Sequence, residues 1–330
     1  GTVSGNTFNG SPGYAALELW GAGNAVSSNS FAITLDGVAI ADSGGNYDEP
    51  ELLEDNGFTA DYAVLVNDRI ELFDDLAGAQ AAALSGPDGV IYDTAQDRFL
   101  VFDGMSVQAA LDAASDGDTV EVAAGTYAGN LSVQNDVTIL GANAGLAGDD
   151  AGRGPGATVQ GAIRVLADGV SIDGLSVSEG GAVSGANAGI YVQADNVTVE
   201  NTDLLRTGAF STFRGIVTAT GDGQGLTVNA NLFTGWATGV FLNPGSDAVV
   251  TNNAFDGNFV GLSNDGPDAS DISGNDFANS GFEHVGIGAL NATTDVGAIV
   301  GANAFDASSE PVTIYALGGE GQAIIGTAQD

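Results

Sequence analysis

Two arginines and a row of ring-bearing side chains have the types and spacing of a sugar-binding surface. Arg206 and Arg214 flank the loop "LLRTGAFSTFR". Rings recur just before glycines that open successive repeats, at Phe213, Trp236, Phe259 and His284. On the outside of the fold they would form a strip able to stack on sugar rings. Turned inward, they would be core. Arg206, Arg214, Phe213 and Trp236 are therefore the candidate ligand-binding residues.

A second group of residues could bind a metal ion. Asp74 and Asp75 lie in "FDDLAG", and Asp116 and Asp118 lie in "SDGD". Their carboxylates are the oxygen ligands that Ca²⁺ prefers, although neither stretch follows an EF-hand loop and "SDGD" is also a good turn sequence. These four residues are the candidate ligands of a structural Ca²⁺ ion, the one cofactor that the sequence suggests.

The composition limits the classes of partner and of chemistry. The 330 residues carry 43 acidic and six basic side chains, which gives a formal net charge of −37. Such a surface repels phosphate backbones, so we expect no nucleic-acid partner, and it suits high salt or divalent cations. No cysteine is present, which excludes disulfides and thiolate sites. No apolar run approaches the ~18 residues that span a bilayer, so we expect no membrane insertion.

A short motif recurs and predicts the fold. A β-branched residue, two spacers, Asn, one spacer and Phe occur six times, with the pairs Asn6/Phe8, Asn29/Phe31, Asn231/Phe233, Asn253/Phe255, Asn275/Phe277 and Asn303/Phe305. Glycines followed by an aliphatic residue recur 22–26 residues apart, at Gly189, Gly215, Gly239, Gly261 and Gly286. This period, with short β-type runs, predicts a coil of strands that stack turn upon turn. Each Asn would then form a ladder at one corner, and each Phe would stack in a narrow core.

The stretch "SVQAALDAASDGDTVEVAAGTYAGNLSV" is similar to the entry of the right-handed parallel β-helix of the pectate-lyase-like superfamily. The resemblance covers about 105–330 and, separately, 1–45. It implies an all-β solenoid with a short N-terminal capping helix at about 106–114. Ser106 would cap that helix, with Val107, Ala110, Leu111 and Ala114 on its buried face.

The same resemblance raises the question of polysaccharide chemistry. "NTD" at 201–203 resembles the motif that supplies a catalytic Asp in polygalacturonases, but the further Asp pair, Gly-His-Gly and Arg-Ile-Lys of that family are missing. A lyase base could only be Arg, since the chain has no Lys, and Arg206 and Arg214 lie near Asp203. No Ca²⁺ cage accompanies them. We assign no catalytic residue and favour a non-enzymatic role, with a polysaccharide lyase as the alternative.

Internal similarity predicts three segments. "TVSGNTFNGS" at 2–11 matches "DISGNDFANS" at 271–280, and "IYDTAQD" at 91–97 echoes "IIGTAQD" at 324–330. We interpret 1–45 as the last coils of a preceding β-helix module, 46–104 as an acidic connector, and 105–330 as a complete module. One irregular β-helix with a helical insertion at 46–104 is the alternative.

These features together predict a structural or interaction module of a large secreted or cell-surface protein. An adhesin, a surface layer or a filament scaffold would use such tandem β-helices. Further copies of the chain, stacking end to end, are the expected partners. Recognition of a polysaccharide along one face is the second hypothesis.

Overall fold

The computed structural model describes residues 2–10, 15–20, 25–33, 37–43, 52–53, 55–208, 212–265, 271–279, 283–287, 301–305, 312–315 and 322–324. The chain forms two compact units, Gly1–Ala123 and Ala124–Asp330. We call them the N-terminal unit and the solenoid unit.

The N-terminal unit combines short parallel pairs with an antiparallel sheet. Its strands are β1 (Thr2–Ser4), β2 (Thr7–Gly10), β3 (Ala15–Leu19), β4 (Ala25–Ser27), β5 (Ser30–Ile33), β6 (Gly37–Asp42), β7 (Gly57–Phe58), β8 (Tyr62–Val66), β9 (Arg69–Phe73), β10 (Val90–Asp93), β11 (Arg98–Val101) and β12 (Thr119–Val122). Strands β1 and β4, β2, β5 and β7, and β3 and β6 pair in parallel. Strands β6, β9, β8, β10 and β11 then pair antiparallel in that order, and β12 joins β11 in parallel.

Two helices of this unit begin at well-formed caps. In α1 (Leu76–Ala83) the carboxylate of Asp75 accepts from the backbone N–H of Gly78 at 2.8 Å. In α2 (Val107–Ala113) the hydroxyl of Ser106 accepts from the N–H of Ala109 at 3.1 Å. The residues predicted on the inner face of α2 are all at most 4% exposed. The predicted capping helix is confirmed, with Ser106 as its N-cap. The span predicted as a connector contains β7–β11 and α1, and the three proposed segment boundaries stay predictions.

The solenoid unit is built from three sheets whose strands follow one another turn by turn. Sheet A contains β15 (Thr138–Leu140), β18 (Ser171–Asp173), β22 (Thr198–Glu200), β25 (Gln224–Asn229), β28 (Asp247–Thr251) and β31 (Asp271–Ser273). Sheet B contains β13 (Gly125–Ala128), β16 (Ala157–Gly161), β19 (Leu175–Glu179), β23 (Asp203–Leu205), β26 (Leu232–Thr234), β29 (Ala254–Asp256) and β32 (Asp276–Asn279).

Sheet C contains β14 (Leu131–Val133), β17 (Ile163–Val165), β21 (Ala186–Val192), β24 (Arg214–Thr218), β27 (Thr238–Leu242), β30 (Val260–Asn264), β33 (Glu283–Ile287), β34 (Val312–Tyr315) and β35 (Gln322–Ile324). All neighbouring pairs in the three sheets are parallel except β34 with β35, and β20 (Gly181–Val183) adds an antiparallel hairpin to β21. This arrangement confirms the predicted all-β parallel solenoid.

Stacked aliphatic side chains form the core of this unit. In sheet A the register aligns one inward residue per turn, at most 3% exposed: Ile139, Ile172, Val199, Val228, Val250 and Ile272. Because side chains alternate along a strand, the same residue type can fill the same inner position of every turn. Each buried aliphatic side chain contributes on the order of 1.5–3 kcal/mol.

The corner between sheets A and B has one repeated backbone conformation. The residue just before the Asn position of each turn has a positive φ: 52° at Asn201, 55° at Ala230, 56° at Asn252 and 68° at Gly274. Asn and Gly tolerate this left-handed region, whereas Ala adopts it at a cost. The corner therefore explains why Asn and Gly cluster ahead of the recurring Asn.

Candidate functional site

The recurring Asn side chains form two polarised ladders. The backbone N–H and the side-chain Nδ2 of Asn231 both donate to Oδ1 of Asn253, at 2.9 and 3.0 Å. Asn253 makes the same pair of bonds to Asn275, and Asn275 to Asn303, at 2.8–3.0 Å. Each Nδ2 also donates to a backbone carbonyl about 25 to 32 residues earlier, such as Val228 for Asn253. The amides are thereby satisfied inside the fold, where an unpaired polar group would be costly.

The ladder of the N-terminal unit contains a residue that the sequence reasoning missed. Asn6 donates to Oδ1 of Asn29, and Asn29 donates to Oδ1 of Asn56, at 2.9–3.1 Å. Asn56 is 7% exposed. "NGF" at 56–58 is a further Asn-x-Phe, but Leu53 replaces the β-branched residue at its start. A search for Asn-x-Phe alone would have found it.

The recurring Phe rings form stacks beside these ladders. Neighbouring rings are nearly parallel, at interplanar angles of 5–22° and centroid separations of 4.5–5.7 Å. One stack contains Phe8, Phe31 and Phe58, and the other contains Phe233, Phe255, Phe277 and Phe305. Phe31, Phe233, Phe255 and Phe277 are at most 2% exposed and belong to the core, whereas Phe8, Phe58 and Phe305 are half-buried.

The coil-start glycines make room for the rings. A Cβ at Gly215 would lie 2.8 Å from Cδ1 of Phe233, and a Cβ at Gly239 would lie 2.7 Å from Cδ1 of Phe255. Real Cβ atoms do not approach other atoms so closely. The Gly-aliphatic and Asn-x-Phe motifs are therefore two parts of one packing arrangement.

Trp236 belongs to the core, so its assignment to an exposed sugar-binding strip was wrong. The side chain is 0% exposed, and its indole N–H donates to the carbonyl of Leu204 at 2.8 Å. Its ring reaches the space left by Gly189, where a Cβ would lie 3.1 Å from Cη2. Phe259 is 44% exposed. The side chain of His284 lies outside the described part of the structure.

Arg206 and Phe213 lie together on one side of the solenoid unit. The guanidinium carbon of Arg206 is 4.0 Å from the centroid of the Phe213 ring, which is half-buried. Arg206 also donates to the carbonyl of Glu179, and its Nη1 lies 3.9 Å from that residue's Oε2. Hydrogen bonds from Thr207, with a smaller contribution from Arg206, hold the pKa of Glu179 below its usual value. Arg206 is thus tied into the fold by a carboxylate and a ring.

Arg214 is held by an aromatic ring and not, as Arg206 is, by both a ring and an ion pair. Its guanidinium carbon lies 4.1 Å above the ring of Phe241. Burial lowers its pKa from the usual value, and the charge of Asp265 acts in the opposite direction. Burial in turn raises the pKa of Asp265, with a hydrogen bond from Ser263 and the charge of Arg214 opposing it. No carboxylate oxygen lies within 4.0 Å of Arg214 in the described ranges.

The "NTD" stretch lies against an arginine that the sequence reasoning did not single out. Arg153, in the long loop between β15 and β16, donates to the carbonyls of Leu146, Ala147, Asn201 and Leu175 at 2.6–3.3 Å. Burial lowers the pKa of Arg153, and Asp203 is the first of the carboxylates that oppose this. Burial raises the pKa of Asp203, which Arg153 partly offsets. These contacts fasten the loop across the corner of later turns, a long-range relation that local sequence patterns do not encode.

Two of the four predicted calcium ligands, Asp75 and Asp118, have structural roles. Asp75 caps α1, and Asp118 accepts from the N–H of Ser115 at 2.8 Å to close a turn. Asp74 and Asp116 are neighbours of these residues in the chain. Across the described residues, no group of three or more His, Cys, Asp or Glu side chains could hold a metal ion. The calcium prediction is therefore not supported, because the carboxylates do not converge.

Comparison with known proteins gives one family. The sequence profile of the family described as "Periplasmic copper-binding protein (NosD)" matches residues 123–317. No characterised protein and no solved structure gives a significant match. Among the described residues, no helix is both long and apolar enough to cross a membrane.

The side chains of the chain do not fit a copper site. Cu⁺ sites use thiolate, thioether and imidazole ligands, whereas Cu²⁺ sites combine imidazole with oxygen ligands, and no group of three or more His, Asp or Glu side chains converges among the described residues. The chain has one His, one Met and no Cys. The sulfur of Met105 accepts from the N–H of Phe102 at 3.4 Å, and Met105 packs against the buried cluster that includes Val66 and Phe73. One thioether engaged in a core and one imidazole cannot supply three or four ligands.

Proposed function

The chain belongs to the family described as periplasmic copper-binding protein (NosD), and we propose that it is an exported β-solenoid with a structural and interaction role. The finer role that we propose is a module of a surface protein, as in an adhesin, a surface layer or a filament scaffold.

One observation carries this proposal: the residues that recur along the sequence are used to build the fold. The Asn side chains bond one another, and the Phe rings fill the space beside the glycines. In this repeat protein the recurring polar groups are used up by the packing unit of each turn, which leaves none of them for a catalytic or metal site. The high negative charge keeps such a surface soluble and resistant to non-specific contacts.

We further propose that copies of the chain associate through strand edges of the N-terminal unit. Among the described residues, β1 pairs only with β4, β2 only with β5, and β3 only with β6. Asn6 accepts no hydrogen bond on its Oδ1 in this part of the chain, and Phe8 stacks on one neighbour only. An edge of this kind can pair with a further β-helix coil, either from a preceding part of a longer chain or from another copy.

Light scattering and electron microscopy test this role. The proposal predicts concentration-dependent assembly into rods, which Asn6→Asp and Phe8→Glu at the edge weaken. Asp88→Asn, also in the N-terminal unit but in an exposed turn outside β1–β3, is the matched surface control and should assemble normally. A protein that stays monomeric at every concentration and salt would refute self-association.

The family's description names copper, but this chain has only one His, one Met and no Cys as nitrogen and sulfur ligands for a copper ion. We propose a role that does not depend on a resident copper ion. Met105 serves the core of the N-terminal unit, which leaves a single imidazole. Polysaccharide lysis remains the enzymatic alternative, and formation of unsaturated products from a panel of polyuronates would establish it.

A further inference from the structure

Arg164 and Arg214 form no ion pair with any described carboxylate, although the chain is dominated by acidic residues. The chain has 43 acidic residues and six basic ones. Arg98 pairs with Asp93 and Glu121, and Arg206 pairs with Glu179. In the described ranges neither Arg164 nor Arg214 has a carboxylate oxygen within 4.0 Å. Both belong to sheet C, Arg164 in β17 and Arg214 in β24.

Arg214 presents an unused guanidinium. It is stacked on Phe241 at 4.1 Å and makes no hydrogen bond to any described residue. Asp265 attracts it from beyond ion-pair distance. A guanidinium has five N–H donors in a planar fork suited to carboxylate and sulfate groups. Stacking on a ring fixes the orientation of that fork before a ligand arrives.

Arg164 begins a register column that leads to the ring beneath Arg214. The register aligns Arg164, Tyr191, Val217 and Phe241 in successive turns. Arg164, Tyr191 and Phe241 are half-buried and have fully buried residues on either side, whereas Val217, between Tyr191 and Phe241, is 2% exposed. Because strand side chains alternate, this column lies on the outer face of sheet C.

Polar groups along the column are available to a ligand. Arg164 uses its Nε to donate to Oε1 of Gln193 at 2.5 Å, which leaves both Nη groups without a partner in the described ranges. The hydroxyl of Tyr191 likewise has none among those residues. Three strand steps of about 4.8 Å separate Arg164 from Phe241, so these two strand positions lie about 14 Å apart along the column. Tyr191 lies between them.

We propose that this column binds an acidic glycan, with carboxylate or sulfate groups on Arg164 and Arg214 and a sugar ring packed on Tyr191. The net charge of −37 disfavours a densely charged polyanion such as a nucleic acid, so a ligand with few, widely spaced charges fits this column better. A glycan with spaced charges and apolar ring faces matches spaced cations and an intervening aromatic ring. This inference does not depend on self-association.

Titration calorimetry of the whole chain tests the site with four probes. They are a hexasaccharide with a uronate at every second residue, a sulfated glycan of equal length, a neutral glycan of equal length and a poly-glutamate peptide. The proposal predicts binding to one or both of the acidic glycans, and the preferred one distinguishes carboxylate from sulfate recognition. Arg164→Gln and Arg214→Gln should each weaken that binding by about tenfold or more.

Three controls make the result decisive. Arg98→Gln removes the same charge from the N-terminal unit and should bind like the unmodified protein. Tyr191→Phe keeps the ring and should lose little affinity, whereas Tyr191→Ser should lose most of it. Circular dichroism confirms that each variant is folded.

The proposal is overturned by equal binding of the neutral glycan or of poly-glutamate, by unchanged affinity in both arginine variants, or by no binding of either acidic glycan. Light scattering of Arg214→Gln should match the unmodified protein, which separates this outcome from that of self-association.

Discussion

Gly239 and Phe255 are packed so closely that no other residue fits at position 239. A Cβ there would lie 2.7 Å from both Cδ1 and Cε1 of the ring and 2.6 Å from the carbonyl of Gly261. The ring is itself held between Phe233 and Phe277, at centroid distances of 4.9 and 4.5 Å. It cannot move aside without disturbing two further turns.

Gly239→Ala should therefore destabilise the solenoid unit by about 1–3 kcal/mol, the usual cost of overpacking a well-packed core. Urea unfolding followed by circular dichroism measures this. Gly154→Ala is the matched control, since a Cβ there would have its nearest neighbour at 3.9 Å. Equal stability of the two variants would contradict the packing account.

The Asn ladder predicts a second loss of stability. Asn253→Ala leaves the N–H and Nδ2 of Asn231 without their acceptor and removes three bonds from the Asn253 side chain, at a position 1% exposed. A buried unsatisfied group costs about 1–3 kcal/mol, so we expect a loss of at least about 2 kcal/mol. Asn187→Ala, which removes one exposed bond to Thr212, should cost less than about 0.5 kcal/mol. A small change in the free energy of unfolding of both variants would mean that the Asn ladder contributes little to stability.

The corner conformation predicts a substitution that raises stability. Ala230 has φ 55°, while Asn201 and Asn252 occupy the same corner position in neighbouring turns. Asn adopts the left-handed region more readily than Ala, which pays roughly 1–2 kcal/mol there. Ala230→Asn should therefore raise the free energy of unfolding by about 0.5–1 kcal/mol, and Asn252→Ala should lower it. A decrease in Ala230→Asn would show that the side chain does not fit.

Asp203 predicts a pH dependence of stability. Burial raises its pKa in the folded state above the ordinary value near 3.9. The folded state thus binds a proton at pH values where the unfolded chain has lost it, so this residue's contribution falls as pH rises through the folded pKa. Asp203→Asn should remove this pH-dependent contribution to the free energy of unfolding. Unfolding free energies of the two proteins should therefore converge as pH falls toward 4 and separate above the folded pKa, with the variant the more stable. Parallel pH profiles would contradict this assignment.

How far the sequence predicts this structure depends on whether a residue acts locally or across turns. Within the Asn-x-Phe motif, Asn lies at the corner of a turn and Phe, two residues later, points into the core. The solenoid and its ladders can therefore be predicted from the spacing of this motif along the sequence. Ser106, followed by apolar residues at helical spacing, predicts the helix that it caps. The position of Trp236 depends on space left by Gly189, two turns earlier, and its burial could not be read from its neighbours in sequence.

The arginines show the same limit at the candidate sites. Arg206 and Arg214 look equivalent in the loop sequence, yet Arg206 pairs with Glu179, whereas Arg214 is stacked on Phe241 and has no ion pair among the described residues. Arg164 and Tyr191 become neighbours only through strand register. Carboxylates close in sequence, such as Asp74 and Asp75, do not converge, because consecutive residues point in different directions.

The central claim is that this member of a family described as copper-binding is a scaffold whose side chains do not hold copper. Competition of the whole chain with a colorimetric chelator for Cu⁺ and for Cu²⁺ tests it most directly. The account predicts that the chain takes no stoichiometric copper from the chelator, and that His284→Ala and Met105→Leu behave like the unmodified protein. Retention of one equivalent of copper, lost in His284→Ala or Met105→Leu, would contradict the account and give the chain the role that its family's description names.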